Sequence, residues 1–192
     1  MSFRKDKGEA GRVTYLKLTD AIFVLASAAI SCGMFAMGLY IKHTKANLLT
    51  VCAVLFLLPA CKKLTNLIVI LPHKDINPEV LKKITEAKEK AFASASAIPV
   101  SFTDMLCSTE DHILKFGDVT VTEGRVLAYS EMNKKLNDYA VDYFRSALKK
   151  RGFDCSFAIF TSADEYISAV KRLNTEKEAD AEVVAYLHSL MI

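Results

Sequence analysis

The sequence contains none of the short motifs on which most assignments of enzyme activity rest. Only seven glycines are present in 192 residues, and nowhere do they form a glycine-rich phosphate loop. The five cysteines are odd in number and include no C-x-x-C pair, which excludes a disulfide framework and a zinc-binding pattern. We therefore predict no catalytic residues, no cofactor-binding residues and no metal ligands, which favours a non-enzymatic role.

Acidic residues are missing from two apolar segments in the first part of the chain. Ala21–Ile41 contains no charge, and its length of about 21 residues spans roughly 30 Å as a helix, the thickness of a hydrocarbon core. The second segment begins at Asn47 and reaches Lys62 and Lys63 about 15 residues later, where long lysine side chains can extend to the lipid headgroups. A cleavable signal peptide is disfavoured because its apolar region is shorter. We predict a transmembrane helical hairpin over residues 21–72.

Charge is distributed unevenly along the chain and predicts the orientation of this hairpin. Residues 1–72 contain nine Lys/Arg and three Asp/Glu, whereas residues 73–192 contain 16 and 19. Lysine and arginine near spans remain on the cytoplasmic side. We therefore predict a cell-membrane protein with a cytoplasmic tail over 1–20, two spans, and a cytoplasmic domain over 73–192. No nucleic-acid partner is expected, because the domain carries net negative charge.

The last 120 residues show the periodicities of a small α+β domain. Asn77-Pro78-Glu79 is typical of a helix start, and Val100–Cys107 is predicted to be extended. Further elements follow: β-prone runs at Ile113–Phe116, Val119–Thr122 and Arg125–Tyr129, a helix over Glu131–Arg151, a strand over Ser156–Phe160 and two more helices. Glycine-containing pairs between the runs predict an antiparallel meander. The expected fold class is a two-helix transmembrane hairpin followed by helix, antiparallel β-meander, helix, strand and helices, with one layer of helices on the sheet.

The order of helix, three strands, helix and strand also occurs in restriction-endonuclease-like nucleases, some of which are tethered by two membrane helices. Such nucleases need an acid on the second strand of the meander and an acid-x-lysine on the next. Here Asp118 is predicted to lie in a turn, and the following run, RVLAYSE, has no E-x-K. A membrane-tethered metal-dependent hydrolase is therefore an alternative only, with carboxylates assembled from distant positions: Asp104, Glu110, Asp118 and Glu131.

Two polar clusters in the domain have simple structural interpretations. The segment containing Cys107, Glu110, Asp111 and His112 is the densest group of ligand-type residues, and we interpret it as a solvated turn. The basic residues near the end of the long helix fit the negative end of a helix, or alternatively anionic headgroups; they are Arg145, Lys149, Lys150 and Arg151.

Small residues repeat at steps of three and four along the first span and could allow close approach of another helix. They are Ala26, Ala29, Gly33 and Ala36. Packing against the second span is the simpler interpretation, and homo-oligomerisation is the other. The first functional hypothesis is a membrane-anchored interaction or scaffold module, whose partners are the lipid bilayer and a protein partner or a second copy. The tethered hydrolase and a small accessory subunit of a larger membrane complex are the alternatives.

Overall fold

The computed structural model describes residues 5–42, 48–93, 97–109, 111–173 and 179–192, without the side chain of Lys42. The chain separates into two compact units. One unit is formed by residues 13–74. The other combines residues 1–12 with residues 75–192, so the segment before the first apolar helix belongs to the same body as the domain after the second.

The hairpin unit consists of two long apolar helices, α1 (Arg12–Lys42) and α2 (Leu48–Ile70). Both are long and apolar enough to cross a membrane. Helix α1 begins nine residues before the predicted start of the span at Ala21, so Asp20 lies inside the helix. Helix α2 contains Pro59 and continues without interruption past Lys63.

The domain is built on a four-stranded mixed sheet with the order β1-β2-β3-β4. Its elements are α3 (Pro78–Phe92), β1 (Val100–Ser108), β2 (Ile113–Thr122), β3 (Arg125–Tyr129), α4 (Lys134–Lys150), β4 (Ser156–Phe160), α5 (Ala163–Lys171) and α6 (Ala181–Leu190). The first three strands are antiparallel, and β4 joins β3 in parallel. The predicted order of elements is confirmed in outline. The sequence Thr175-x-x-Glu178 predicts the start of the last helix, and this segment lies outside the described residues.

Helices cover both faces of this sheet, so the prediction of one helical layer is wrong. One core cluster includes Phe116, Phe144, Phe157 and Leu187 and joins the sheet to α4 and α6. A second cluster, with Ile84, Leu127, Tyr129, Tyr166 and Val170, joins the opposite face to α3 and α5. The parallel β4 accounts for this arrangement, because a parallel connection needs a crossover element, here α4, that lies on a sheet face.

The predicted turn at Gly117-Asp118 is also wrong, because β2 continues through it as one ten-residue strand. Leu114 and Phe116 enter the first core cluster, and so do Val119 and Val121, which breaks the alternation between Phe116 and Val119. The facing position in β1 is Asp104, which has a left-handed φ of 49° and no partner in the register. At Asp104 in β1 and at Gly117 in β2, the alternation of side chains between the two faces of the sheet therefore shifts by one residue, and both strands continue without a turn.

Residues 5–12 form a strap on the domain. Gly8, with φ of 88°, accepts a 2.7 Å hydrogen bond at its carbonyl oxygen from Thr103 N–H. Lys7 donates to the carbonyl oxygen of Met191, and Arg12 donates to that of Ile192 at 3.0 Å. The strap thus links β1 to the C-terminus of the chain.

Candidate functional site

A polar cluster lies between the sheet and helices α3 and α5, and we define it as Lys88, Ser101, Asp118, Thr120 and Tyr166. We call it the buried cluster after Asp118, Thr120 and Tyr166, which are buried, whereas Lys88 is partly buried and Ser101 is exposed. Asp118 and Thr120 lie on β2, and both are at most 2% exposed. Buried polar groups cost free energy unless they are hydrogen-bonded. Each member of this cluster is bonded to another member.

Lys88 forms the cationic part of the cluster. Its side chain is 13% exposed, and its ammonium group contacts Asp118 Oδ2 and donates to Ser101 Oγ at 2.9 Å. Burial lowers the pKa of Lys88, while the charge of Asp118 and its hydrogen bond oppose that shift. A buried ion pair is favourable only where further hydrogen bonds complete it.

Tyr166 supplies such a hydrogen bond from α5. Its hydroxyl group donates to Asp118 Oδ2 at 2.5 Å and lies 2.7 Å from Thr120 Oγ1. Burial raises the pKa of Tyr166 well above its usual value, and the nearby negative charge of Asp118 raises it further. The phenol therefore remains a neutral donor, and one carboxylate oxygen is shared between an ammonium and a hydroxyl group.

Asp118 thus stands where the endonuclease-like pattern places its acid, on the second strand of the meander. The neighbouring strand differs from that pattern. Asp118 is paired with Tyr129 on β3, and both Tyr129 and Leu127 belong to the core cluster on this face. Leu127 and Tyr129, an apolar residue and a phenol, therefore stand on the strand where the restriction-endonuclease-like pattern has an acid and a lysine.

Three of the four carboxylates of the hydrolase alternative are described, and they have separate surroundings. Asp104 Oδ2 accepts from Gly11 N–H at 2.8 Å, and Oδ1 accepts from Ile76 N–H at 2.7 Å. Glu131 accepts a 3.3 Å hydrogen bond from Tyr129, and Glu110 lies outside the described residues. Within the described ranges, no group of three or more His, Cys, Asp or Glu could hold a metal ion.

The carboxylate of Asp104 joins two separate backbone segments of the domain through hydrogen bonds. Gly11 directly precedes α1, and Ile76 follows α2, so one carboxylate binds the chain just before and shortly after the two apolar helices. Burial raises the pKa of Asp104, and its two backbone hydrogen bonds counter that shift. Nothing in the sequence marks this pairing, because its members are 28 and 93 residues from Asp104.

Among Cys107, Asp111 and His112, the described ligand-type residues of the segment 107–112, no metal-binding group comes together. Cys107 is buried in β1, and burial raises the pKa of its thiol to about 12, which opposes a role as a nucleophile. Asp111 and His112 are exposed. Thr109 and His112 hydrogen-bond each other through backbone and hydroxyl groups in the turn after β1.

The basic residues at the end of α4 are exposed on the opposite side of the sheet from the buried cluster. Lys149 and Lys150 lie in the last helical turn, and Arg151 is the C-cap, where cations offset the partial negative charge of the helix end. Arg151 has a second contact, because its guanidinium lies 4.2 Å from the centre of the Tyr186 ring.

The hairpin unit contains a polar cluster that the sequence prediction missed. Asp20 is 2% exposed, and its carboxylate accepts from Lys63 at 2.8 Å and from Asn66 at 2.7 Å. Lys63 therefore pairs with an acid of the neighbouring helix, whereas we interpreted Lys62 and Lys63 only as markers of the helix exit. Asp20 lies one residue before the predicted span, but it is inside α1 because the helix begins at Arg12.

The small-residue face of α1 does not pack against α2. Its four members, Ala26, Ala29, Gly33 and Ala36, are all exposed in the hairpin. The buried side of α1 instead carries Ser31, which donates to the carbonyl oxygen of Ala53 on α2 at 3.0 Å. An added Cβ at Gly33 would meet no atom within 4 Å.

Comparisons with known proteins identify no relative, since no family model, curated protein or solved structure matches the chain.

Proposed function

We propose that this protein is a membrane-anchored interaction or scaffold module without catalytic activity. Its two apolar helices serve as the anchor in the cell membrane, and the domain over residues 73–192 recruits a protein partner on the cytoplasmic face. The observation that carries the proposal is that the carboxylate of Asp118 is already bonded to the Lys88 ammonium and the Tyr166 hydroxyl group. This acid, which has the strand position of a hydrolase acid, is neutralised inside the protein.

A metal-dependent hydrolase needs carboxylates that are free to bind a divalent cation and a water molecule. Asp118 Oδ2 is already shared between the Lys88 ammonium and the Tyr166 hydroxyl group. A cation at that oxygen would have to displace Lys88 and leave its ammonium group unpaired in a buried position, which is strongly unfavourable. The cluster therefore supports a structural role in the domain.

The strap supports a membrane topology with both termini on one side. Residues 5–12 and 75–192 belong to one compact unit, joined by the Gly8–Thr103 and Gly11–Asp104 hydrogen bonds. The segment between them can therefore cross a membrane only an even number of times. Two spans satisfy this condition, and the excess of lysine and arginine at residues 1–20 and 62–74 favours the cytoplasmic side.

Thermal unfolding of the full-length protein in detergent, with and without divalent cations, tests the non-catalytic proposal. A metal that binds only the folded state raises the melting temperature by mass action. We expect Mg²⁺ and Mn²⁺ at millimolar concentration to leave the melting temperature unchanged, both in the native protein and in the Glu131→Ala variant.

A reproducible increase of several degrees with Mn²⁺, abolished in Asp118→Asn or in Glu131→Ala, would contradict the proposal. It would favour the membrane-tethered hydrolase with an endonuclease-like fold, for which the position of Asp118 on β2 is the one supporting observation. The Asp118→Asn variant is informative only where it still unfolds cooperatively, so its circular dichroism melt is recorded first.

Assembly within the membrane is a second proposal, supported by the exposed small-residue face of α1. Small residues allow helix backbones to approach closely, and this face is turned away from the contact with α2. Gly33→Leu adds bulk where the hairpin itself has space, so the variant should insert normally. If the face binds a second copy, cross-linking in membranes should yield dimers that are lost in Gly33→Leu.

Val51→Leu on α2 is the matched control, because Val51 is 55% exposed and the change also enlarges a lipid-accessible side chain. Cross-linked dimers in both variants would refute assembly through this face. A heavier product containing another membrane protein, lost in Gly33→Leu alone, would support the accessory-subunit alternative instead.

A further inference from the structure

A groove between α4 and α6 has the composition of a protein-binding hot spot. It encloses about 520 Å³ and lies on the face of the sheet opposite to the buried cluster. Its lining is Tyr139, Asp142, Tyr143, Ser146, Lys150 and Arg151, together with Ala147 and Tyr186. Tyrosine and arginine are the residues most enriched among those that dominate the binding energy of protein interfaces.

The aromatic rings of the groove are held in place before any partner binds. Tyr139 and Tyr143 stack with ring centres 6.2 Å apart and an interplanar angle of 18°. Tyr139 also meets the edge of His112 at 4.9 Å and donates to Thr109 Oγ1 at 3.3 Å. Rings that are already ordered lose little conformational entropy on binding, which favours affinity.

The charges of the groove lie mainly at one end. Lys150 and Arg151 are exposed at the C-terminal end of α4, and the contact with Tyr186 orients Arg151. Among the residues that the structure describes, Asp142 is the one acid that lines the groove. Along α4, Lys150 lies about 11 Å from Tyr143 and about 17 Å from Tyr139, or two to three helical turns.

We infer that this groove binds an acidic amphipathic segment of another protein. A carboxylate of the partner contacts Lys150 and Arg151, and an apolar or aromatic side chain, two to three helical turns away, packs on Tyr139 and Tyr143. Asp142 and Ser146 face the polar backbone or side chains between these anchors. The inference rests on the proposed interaction function and assigns its surface and the class of its partner.

A protein segment fits these features better than the other anionic partners. Residues 73–192 have three more acidic than basic residues, and residues 1–12 of the same unit add four basic and two acidic residues. The domain therefore lacks the broad positive field that nucleic-acid binding requires. The aromatic lining exceeds what a phosphate group alone would contact. A segment with one or two acids and an apolar anchor matches both the charge and the rings.

The test places a photo-reactive p-benzoylphenylalanine at Ser146 in the full-length protein, in the cells that produce it. Irradiation should yield one discrete protein adduct, and mass spectrometry should locate the cross-link in an acidic segment. The same probe at Lys82, which is exposed on α3, should not yield that adduct. The adduct should also disappear in Lys150→Glu/Arg151→Glu.

Lys171→Glu/Arg172→Glu is the matched control. Lys171 lies in the last turn of α5, and Arg172 is its C-cap. Lys150 and Arg151 have the same two positions in α4. Both double variants therefore introduce the same charges at the C-terminal end of a helix. The control variant should retain the adduct. A synthetic peptide of the cross-linked segment should bind the Lys150→Glu/Arg151→Glu protein at least about tenfold more weakly, because reversed charges repel its carboxylates.

Binding should recover when the acids of that peptide are changed to lysine. Equal effects of the two double variants, or an adduct that is a nucleic acid, a lipid or a second copy of this chain, would overturn the inference. Protein adducts formed only from Lys82 would refute the groove but leave the interaction function intact. No protein adduct from either position, together with Mn²⁺ stabilisation that depends on Asp118, would refute both proposals.

Discussion

The ion pair of Lys88 and Asp118 determines how each residue of the buried cluster responds to substitution. Removing one partner of a buried pair leaves an uncompensated charge, whereas removing both leaves none. Asp118 also accepts from Tyr166, so its carboxylate would retain a neutral donor after the loss of Lys88. The two residues should therefore be coupled strongly, and a double-mutant cycle measures that coupling.

We predict that Lys88→Met lowers the free energy of unfolding by about 3 kcal/mol. Asp118→Asn should lower it by a similar amount. The loss in the double variant should be smaller than the sum of the two single losses. Urea unfolding of the full-length protein in detergent, followed by circular dichroism, measures all four corners of the cycle. Additive losses would contradict the model of a coupled pair.

The raised pKa of Tyr166 predicts a pH dependence at the same site. In the unfolded chain this phenol ionises near pH 10, while in the folded protein burial and Asp118 keep it protonated. The folded state then binds more protons, so the contribution of Tyr166 to stability falls as the pH rises above about 10.

Tyr166→Phe should be less stable than the native protein at pH 9, because the hydrogen bonds to Asp118 and Thr120 are lost. The difference should shrink between pH 10 and pH 11 by up to about 1.4 kcal/mol per pH unit. Unfolding free energies of the two proteins at matched pH values provide the measurement. A constant difference would show that Tyr166 ionises normally in the fold, and a widening difference would show that the fold lowers its pKa.

At the scale of secondary-structure elements, β2 explains both the success and the failure of prediction from sequence. Helices α3 and α4 have local signals, such as the caps at Asn77 and Asn133, and the periodicity of their apolar residues is regular. The shift in alternation at Gly117-Asp118 resembles a turn. From sequence alone, one strand whose side-chain alternation shifts by a residue has the same pattern as two strands joined by a turn. The left-handed Asp104 opposite, which makes the shift possible, has no sequence signature.

The candidate site was missed for a related reason. Lys88, Asp118 and Tyr166 come from three elements separated by 30 and 48 residues, and each alone is an ordinary residue of a helix or strand. Their proximity depends on the parallel placement of β4, which positions α5 beside α3. Long-range pairings of this kind are tertiary facts that neither composition nor spacing contains.

Substitutions of Asp104 in β1 test how its hydrogen bonds and its left-handed backbone conformation affect stability. Asp104→Ala removes the acceptor of two backbone N–H groups and should lower the free energy of unfolding by about 3 kcal/mol. Asp104→Gly removes the same acceptor but favours the left-handed φ, so it should be about 1 kcal/mol more stable than the alanine variant. Chemical unfolding of both variants supplies the comparison; equal stabilities would exclude backbone strain at this position.

The pairing of α1 with α2 also distinguishes the two adjacent lysines. Lys63→Leu leaves the carboxylate of Asp20 with Asn66 as its remaining donor and should destabilise the hairpin by about 1 to 2 kcal/mol, since interhelical polar contacts in membranes are modest. Lys62→Leu should have little effect, because Lys62 makes no hydrogen bond or salt bridge to any part of the chain that the structure describes. Thermal unfolding in micelles compares them, and equal losses would exclude a specific pair.

At the scale of the whole molecule, the strap and the net charge lead to one topology. Residues 5–12 bond to β1 and to the C-terminus, so a topology that separates the two ends of the chain would break the domain. Nine lysines and arginines lie in the first 72 residues, and most of them flank the same ends of the two apolar helices. Both features favour a topology in which the strap and the domain lie on the cytoplasmic side. Only the link between α1 and α2 then reaches the other side of the membrane.

We therefore predict that a cysteine introduced at Thr44 reacts with a membrane-impermeant maleimide added to intact cells. A cysteine at Ser189 should react only after the cells are permeabilised, and the native chain serves as the control because its cysteines lie in the two apolar helices or in the domain. Labelling of both engineered positions in intact cells would contradict the anchored topology. Labelling of Ser189→Cys alone would reverse it, moving the α4–α6 groove and its partner to the outer side of the membrane.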